Sequence, residues 1–140
     1  MGAWGEKAFD NDEANDWAYG LADLDDLSLV ESAFVELEAV ANEYVDAHIA
    51  CNALAACEVL ARLQGNFGYR NAYTSKVDGW VASHPIKPSP ALLQRAHAAI
   101  DRILGSNSEL LDLWAEGDAG PWRQSVADLR GRLTSSCSGP

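Results

Sequence analysis

The first sixty residues almost lack positive charge: Lys7 stands there alone against 14 acids. A surface of that sign repels nucleic acid and anionic lipid, which are bound through clustered Lys and Arg, and it attracts cationic partners. Long apolar runs are also missing, since none nears the ~20 residues needed to span a bilayer. The three cysteines include no CxxC and no Cys/His spacing suited to structural zinc. Cys51 and Cys57 lie on one expected helix about 9 Å apart along its axis and point in different directions, so they cannot join. They are expected to be small core residues, and Cys137 falls in a Ser/Gly/Pro tail, TSSCSGP. The β-branched alternation of a strand is absent. So are GxSxG, a Gly-rich phosphate loop and any nucleophile–base–orienter set. No cofactor and no catalytic residue is therefore expected, and the chain leans away from being an enzyme. The opening MGAWGEKAF has neither signal-peptide architecture nor Ser or Thr at its sixth position, so the expected location is cytoplasmic and unmyristoylated.

What is present is material for a helical core. The chain has 140 residues, 48% of them hydrophobic, with five tryptophans and a net charge of −11. That length suits one domain, 1–140, with an irregular segment at 1–9 and a frayed tail at 134–140. Charge is uneven, because residues 61–140 hold seven acids and nine bases.

The stretch Ala47–Leu63, AHIACNALAACEVLARL, organises the rest. Thirteen of its 17 residues are apolar. On a helical wheel the polar four, His48, Asn52, Glu58 and Arg62, fall within about 120°. Such a helix is buried around most of its circumference, and its small side chains let neighbours approach closely. Around it the spacing predicts six or seven helices. Asp10 or Asn11 caps a first helix carrying Ala14, Trp17, Ala18 and Leu21. Ser28 and Glu31 have capping-box spacing and open a second, whose apolar stripe runs Val30, Phe34, Leu37, Val40, Ala41, Tyr44, Val45. A kink or tight turn near Asp46 leads to the central helix, although one long bent helix is an alternative. Gly65 and Gly68 end that helix. Thr74 or Ser75 then caps a short helix with Val77, Trp80 and Val81, and Ser89-Pro90 starts one that ends at Gly105. Ser106 with Glu109 repeats the capping-box spacing for a helix through Trp114. Pro121 begins a last helix with Trp122, Val126, Leu129 and Leu133 inward. The fold class is all-α: one bundle of six to seven helices around a central buried helix at about 47–64, with no sheet.

The N-terminal string carries Trp4-Gly5, Phe9, Asn11-Asp12 and Asp16-Trp17. With ALAACEV at 53–59, ILGSNSELLDLW at 103–114, Trp122 and LRGRL at 129–133, it resembles the bacterial domain-of-unknown-function family 4259. One departure is Glu6-Lys7-Ala8, where another glycine is expected between Trp4-Gly5 and Phe9. The resemblance implies a single domain and supplies no activity.

Two groups of residues are candidate sites. Asp10, Asn11, Asp12, Glu13 and Asp16 gather oxygens, but lack the central glycine and distal Glu of an EF-hand loop, and helix capping explains them without a metal. There Trp4 and Trp17 are expected to clamp the N-terminal loop on the first helix, with Asn11 or Asp12 fixing loop amides. The other group is the polar stripe of the central helix. Glu58 and Arg62 are spaced i, i+4, as are His48 and Asn52, and if buried they must be paired. The alternative is a small pocket where His48 or Glu58 acts as acid or base. His84 and His97 are expected at the surface or rim. The leading expectation is a non-enzymatic module of immunity or antitoxin type whose acidic half engages a basic protein. The alternatives are a ligand or metal binder or enzyme at the stripe, and a homo-oligomer sharing an apolar patch at Trp80 or Trp122.

Overall fold

The computed structural model describes residues 7–40 and 43–135, over which seven helices follow one another. They are α1 (Asp12–Leu21), α2 (Ser28–Val40), α3 (Ala47–Leu63), α4 (Ser75–Ser83), α5 (Pro90–Leu104), α6 (Glu109–Ala115) and α7 (Gly120–Ser135). Among the described residues there is no strand, only an isolated parallel bridge between Val45 and Ser108. No described helix is long and apolar enough to cross a membrane. Trp4, Ala41, Cys137 and all but the last few residues of the 1–9 segment lie outside the described residues, as does the tail from 136.

α3 has the bounds its composition predicts, and it packs against each of the other six helices. Every residue from Ala50 to Arg62 except Asn52 is buried. Alanines at 50, 53, 55, 56 and 61 keep the neighbouring helices close, while Leu60 and Val59 fill the space between them. Each large aliphatic so buried contributes about 1.5–3 kcal/mol relative to exposure. Cys51 and Cys57 are buried and free, in the small-residue role expected of them. Burial pushes the Cys51 thiol up to about 12 and the Cys57 thiol higher still.

Local signals set several helix starts. Asn11 Oδ1 accepts from Ala14 N–H at 2.8 Å, capping α1. Ser89 Oγ accepts from Leu92 N–H at 3.1 Å ahead of Pro90. Three expectations need correction. The second-helix stripe stops at Val40, where Glu43 N–H turns back to the Val40 carbonyl at 3.1 Å. Tyr44 is then exposed, and Val45 is fully buried as a bridge residue. Val45 donates to Asn107 O and accepts from Glu109 N–H, both at 2.9 Å, so a buried backbone is satisfied across the fold and needs no helix. At the start of α2, Asp26 Oδ1 accepts from Ser28 N–H, and Glu31 N–H bonds to Leu27 O, so Ser28 is already inside the helix. For α6 the cap is Ser108, not Ser106. Ser108 Oγ accepts from Leu111 N–H at 3.4 Å after Asn107 has turned the chain at φ 61°. The Glu109 carboxylate serves α3 instead, accepting from Ala47 N–H at 2.7 Å where Asp46 supplies no side-chain cap. An acid there also complements the positive end of the α3 dipole.

The tryptophans differ from one expectation as well. Trp80 and Trp122 are buried rather than on a shared surface patch. Trp80 Nε1 donates to Leu24 O at 2.8 Å, and Trp122 stacks on Trp114 with ring centroids 6.3 Å apart. Each indole finds its partner inside the bundle, which removes it from the surface.

A buried charge cluster and an acidic exterior

The C-terminal half of the α3 stripe lies under the loop between α3 and α4. Glu58 and Arg62 are both about 1% exposed. They approach each other at 3.3 Å, and neither relies on that contact alone. Arg132 of α7 reaches across with a two-pronged grip on Glu58, Nη1 to Oε1 at 2.7 Å and Nη2 to Oε2 at 3.0 Å. Arg62 donates to Asp78 of α4 at 2.8 Å and to the Tyr69 carbonyl at 2.7 Å. Thr74 Oγ1, itself buried, donates to the other Asp78 oxygen at 2.8 Å. Two carboxylates and two guanidiniums thus compensate one another, the condition under which buried charge is tolerated.

The same cations hold the loop. Arg132 also donates to the Asn66 and Phe67 carbonyls, at 3.1 and 3.2 Å, and Asn66 Nδ2 returns a bond to Arg132 O at 2.8 Å. The Arg62 guanidinium lies over the Phe67 and Tyr69 rings, 5.4 and 5.0 Å from their centroids. Gly68 is required where it stands. Its φ is +67°, and a Cβ there would meet Arg132 Nε at 2.5 Å. Burial works against the Arg132 charge, but Glu58 and Asp128 outweigh it and raise the guanidinium pKa.

From this cluster a chain of contacts runs to the N-terminal motif. The Tyr69 hydroxyl accepts from Phe9 N–H at 3.3 Å, and burial followed by the Glu58 charge pushes its pKa far above the ordinary tyrosine range. Phe9 is fully buried. Asn11 Nδ2 donates to Ala8 O at 3.1 Å, and Asn15 Nδ2 donates to Phe9 O at 2.7 Å and Asn11 O at 2.8 Å. The two asparagines therefore fix the turn carrying Phe9.

The sequence-predicted residues thus fall into separate places. Glu58 and Arg62 are together, and Asn11 is linked to them through Phe9 and Tyr69. Trp17 is half-buried against the core, whereas Asp12 and Asp16 are exposed on α1. His48 is exposed at the start of α3, and Asn52 is half-buried between it and the cluster. No group of three His, Cys, Asp or Glu among the described residues could hold a metal ion. Sequence reasoning missed Arg132, Asp78 and Tyr69. A carboxylate and a guanidinium on an otherwise apolar helix need more partners than each other, and Arg132 lies between the inward Leu129 and Leu133, where such a partner could have been sought.

Outside, charge is distributed differently. From residue 7 to residue 60, Asp10 is half-buried and Glu58 buried, and the other eleven acids are all exposed. Four arginines of the second half are drawn into ion pairs, Arg62 and Arg132 in the cluster, Arg95 on Glu38 at 2.8 Å and Arg130 on Asp101 at 3.1 Å, while Arg70, Lys87 and Arg123 are exposed. Arg102 is spent on the carbonyls of Ser106, Asn107 and Glu43. On α2 a shallow groove of about 410 Å³ is lined by Ser28, Glu31, Ser32, Val35 and Glu36, with Val35 54% exposed at its edge.

No curated protein and no solved structure matches the chain. A family model does match, over residues 2–125, a span that takes in the N-terminal motif, α3 and the Glu58–Arg62 pair. On that match the chain belongs to the family described as domain of unknown function DUF4259.

Proposed function

We propose that this protein is a non-enzymatic binding module, of the immunity or antitoxin type, that engages a basic protein through the acidic face of α1, α2 and their connection. The observation that carries it is the exposure of eleven first-half acids on a molecule that engages Arg62, Arg95, Arg130 and Arg132 in ion pairs of its own. A face of one sign raises the encounter rate with a cationic partner by about 10–10³-fold and loses that advantage as salt rises. Val35 and its groove give the acids an apolar centre, the arrangement by which an interface gains contact as well as steering. Pull-down from the native host at low and high salt tests it. A basic partner released by salt supports the proposal; no partner, or binding indifferent to salt, contradicts it.

One observation favours a second function, a small ligand at the α3 stripe. Asn52 Oδ1 is buried and accepts no hydrogen bond from the described residues, so a small donor reaching it would meet an open acceptor. A thermal-shift screen against metals and metabolites distinguishes the two. Stabilisation by one compound, lost in Asn52→Ala with the fold intact, selects the ligand function.

A further inference from the structure

His84 follows the last residue of α4, and its ring lies on the indole of Trp80, with centroids 4.6 Å apart and planes 14° from parallel. Its Nδ1 is 2.9 Å from the Trp80 carbonyl oxygen. Its Nε2 is 2.9 Å from Oδ1 of Asp25, in the connection between α1 and α2. Both partners can only accept a hydrogen bond, one being a carbonyl and the other an ionised carboxylate. The imidazolium, with a proton on each nitrogen, satisfies both. A neutral ring satisfies one and turns a lone pair toward the other. The indole face adds attraction for the charged form. Asp25 is the charged group that the facing connection sets against the ring; Asp23 and Asp26 flank it on the same connection. Trp80 holds that connection independently, through Nε1 to Leu24 O at 2.8 Å.

We propose that His84 is a pH-operated latch on the acidic connection between α1 and α2. Protonated, it holds and neutralises Asp25. Deprotonated, it leaves the Asp25 carboxylate, exposed in either state, without its counter-charge, while Trp80 keeps Leu24 in place. The acidic face then becomes more negative by one charge, and for a cationic partner that change strengthens attraction as pH rises. Only this consequence rests on the function proposed above; the latch itself rests on the geometry.

The Asp25 hydrogen bond, then the Trp80 carbonyl, raise the His84 pKa above its ordinary 6.5. A value raised in the folded state means that the stabilisation is fully present below 6.5 and is lost as pH rises through the folded value. NMR titration of the histidine rings and backbone amides tests the latch without any partner. The expected result is a His84 midpoint above 6.5, with the amide shifts of Asp25 and Asp26 following the same midpoint. In Asp25→Asn the His84 midpoint falls, with the helical circular dichroism unchanged. A midpoint at or below 6.5, no response to Asp25→Asn, or loop amides indifferent to His84 would each overturn the latch. Because the readout is internal, its failure leaves the basic-partner proposal standing, and the absence of a basic partner leaves the latch standing.

Discussion

Two glycines in one loop should respond very differently to the same methyl group. Gly65 and Gly68 both have positive φ, +89° and +67°. Placing Ala at either costs about 1–2 kcal/mol of left-handed backbone strain. At Gly65 no atom of the described residues lies within 4 Å of the added Cβ, so the strain is the whole effect. At Gly68 the new atom would stand 2.5 Å from Arg132 Nε, 2.6 Å from Cζ and 2.9 Å from Cδ. An arginine head normally yields to such a contact, but this one is held by Glu58 at 2.7 and 3.0 Å and by Asp128 at 2.9 Å. Moving it strips Glu58 of two of its three cationic contacts while leaving that carboxylate buried, and breaking a buried pair costs about 3–5 kcal/mol. Allowing for partial retreat of Arg132, Gly68→Ala should exceed Gly65→Ala by at least about 2 kcal/mol, a large share of a total stability of about 5–15 kcal/mol. Urea unfolding with a common m value measures the difference. Equal destabilisation of the two variants would refute the claim that Arg132 anchors the loop.

Three further outcomes follow from the same contacts. Arg132→Met should destabilise by about 3–5 kcal/mol, and adding Glu58→Leu should recover part of that loss, because the uncompensated carboxylate goes with it; a double-mutant cycle in urea measures the coupling, and simple additivity would contradict it. Asn11→Ala removes the α1 cap and should cost about 0.5–2 kcal/mol, visible as a lowered Tm, with hydrogen exchange accelerated first around Phe9. Glu109→Ala removes the remote cap of α3 and should cost a similar ~0.5–2 kcal/mol, whereas Ser106→Ala should be nearly silent if Ser108 is the true cap.

Where the sequence was legible, the deciding interactions are short-range. The bounds of α3 follow from thirteen apolar residues broken by four polar ones, and the start of α5 follows from Ser89 next to Pro90. The exposed acids could be anticipated because unpaired charge stays in water. The misplaced features depend on partners far along the chain. Glu58 and Arg132 are 74 residues apart, and no local pattern tells a carboxylate which guanidinium will cover it. Ser106 and Ser108 both offer a hydroxyl ahead of α6. What selects Ser108 is the pairing of its neighbours with Val45, a contact between segments far apart in the chain. Glu109 likewise has capping-box spacing from Ser106, yet its carboxylate goes to α3 because Ala47 N–H there has no other side-chain cap. The wheel placed His48, Asn52, Glu58 and Arg62 on one line, and so it could not reveal that α4, α7 and the α3–α4 loop cover only the line's C-terminal half.

The central claim is that the polar stripe of α3 is architecture at Glu58 and Arg62, and that binding belongs to the acidic outside. The most direct measurement is salt-dependent capture of the proposed basic partner from the native host by wild type and by Glu31→Lys/Glu36→Lys, which reverses charge around Val35 without touching the core. The account predicts that the variant keeps its Tm within a few degrees and loses capture at low salt. A variant that folds and captures the partner as well as wild type would contradict it.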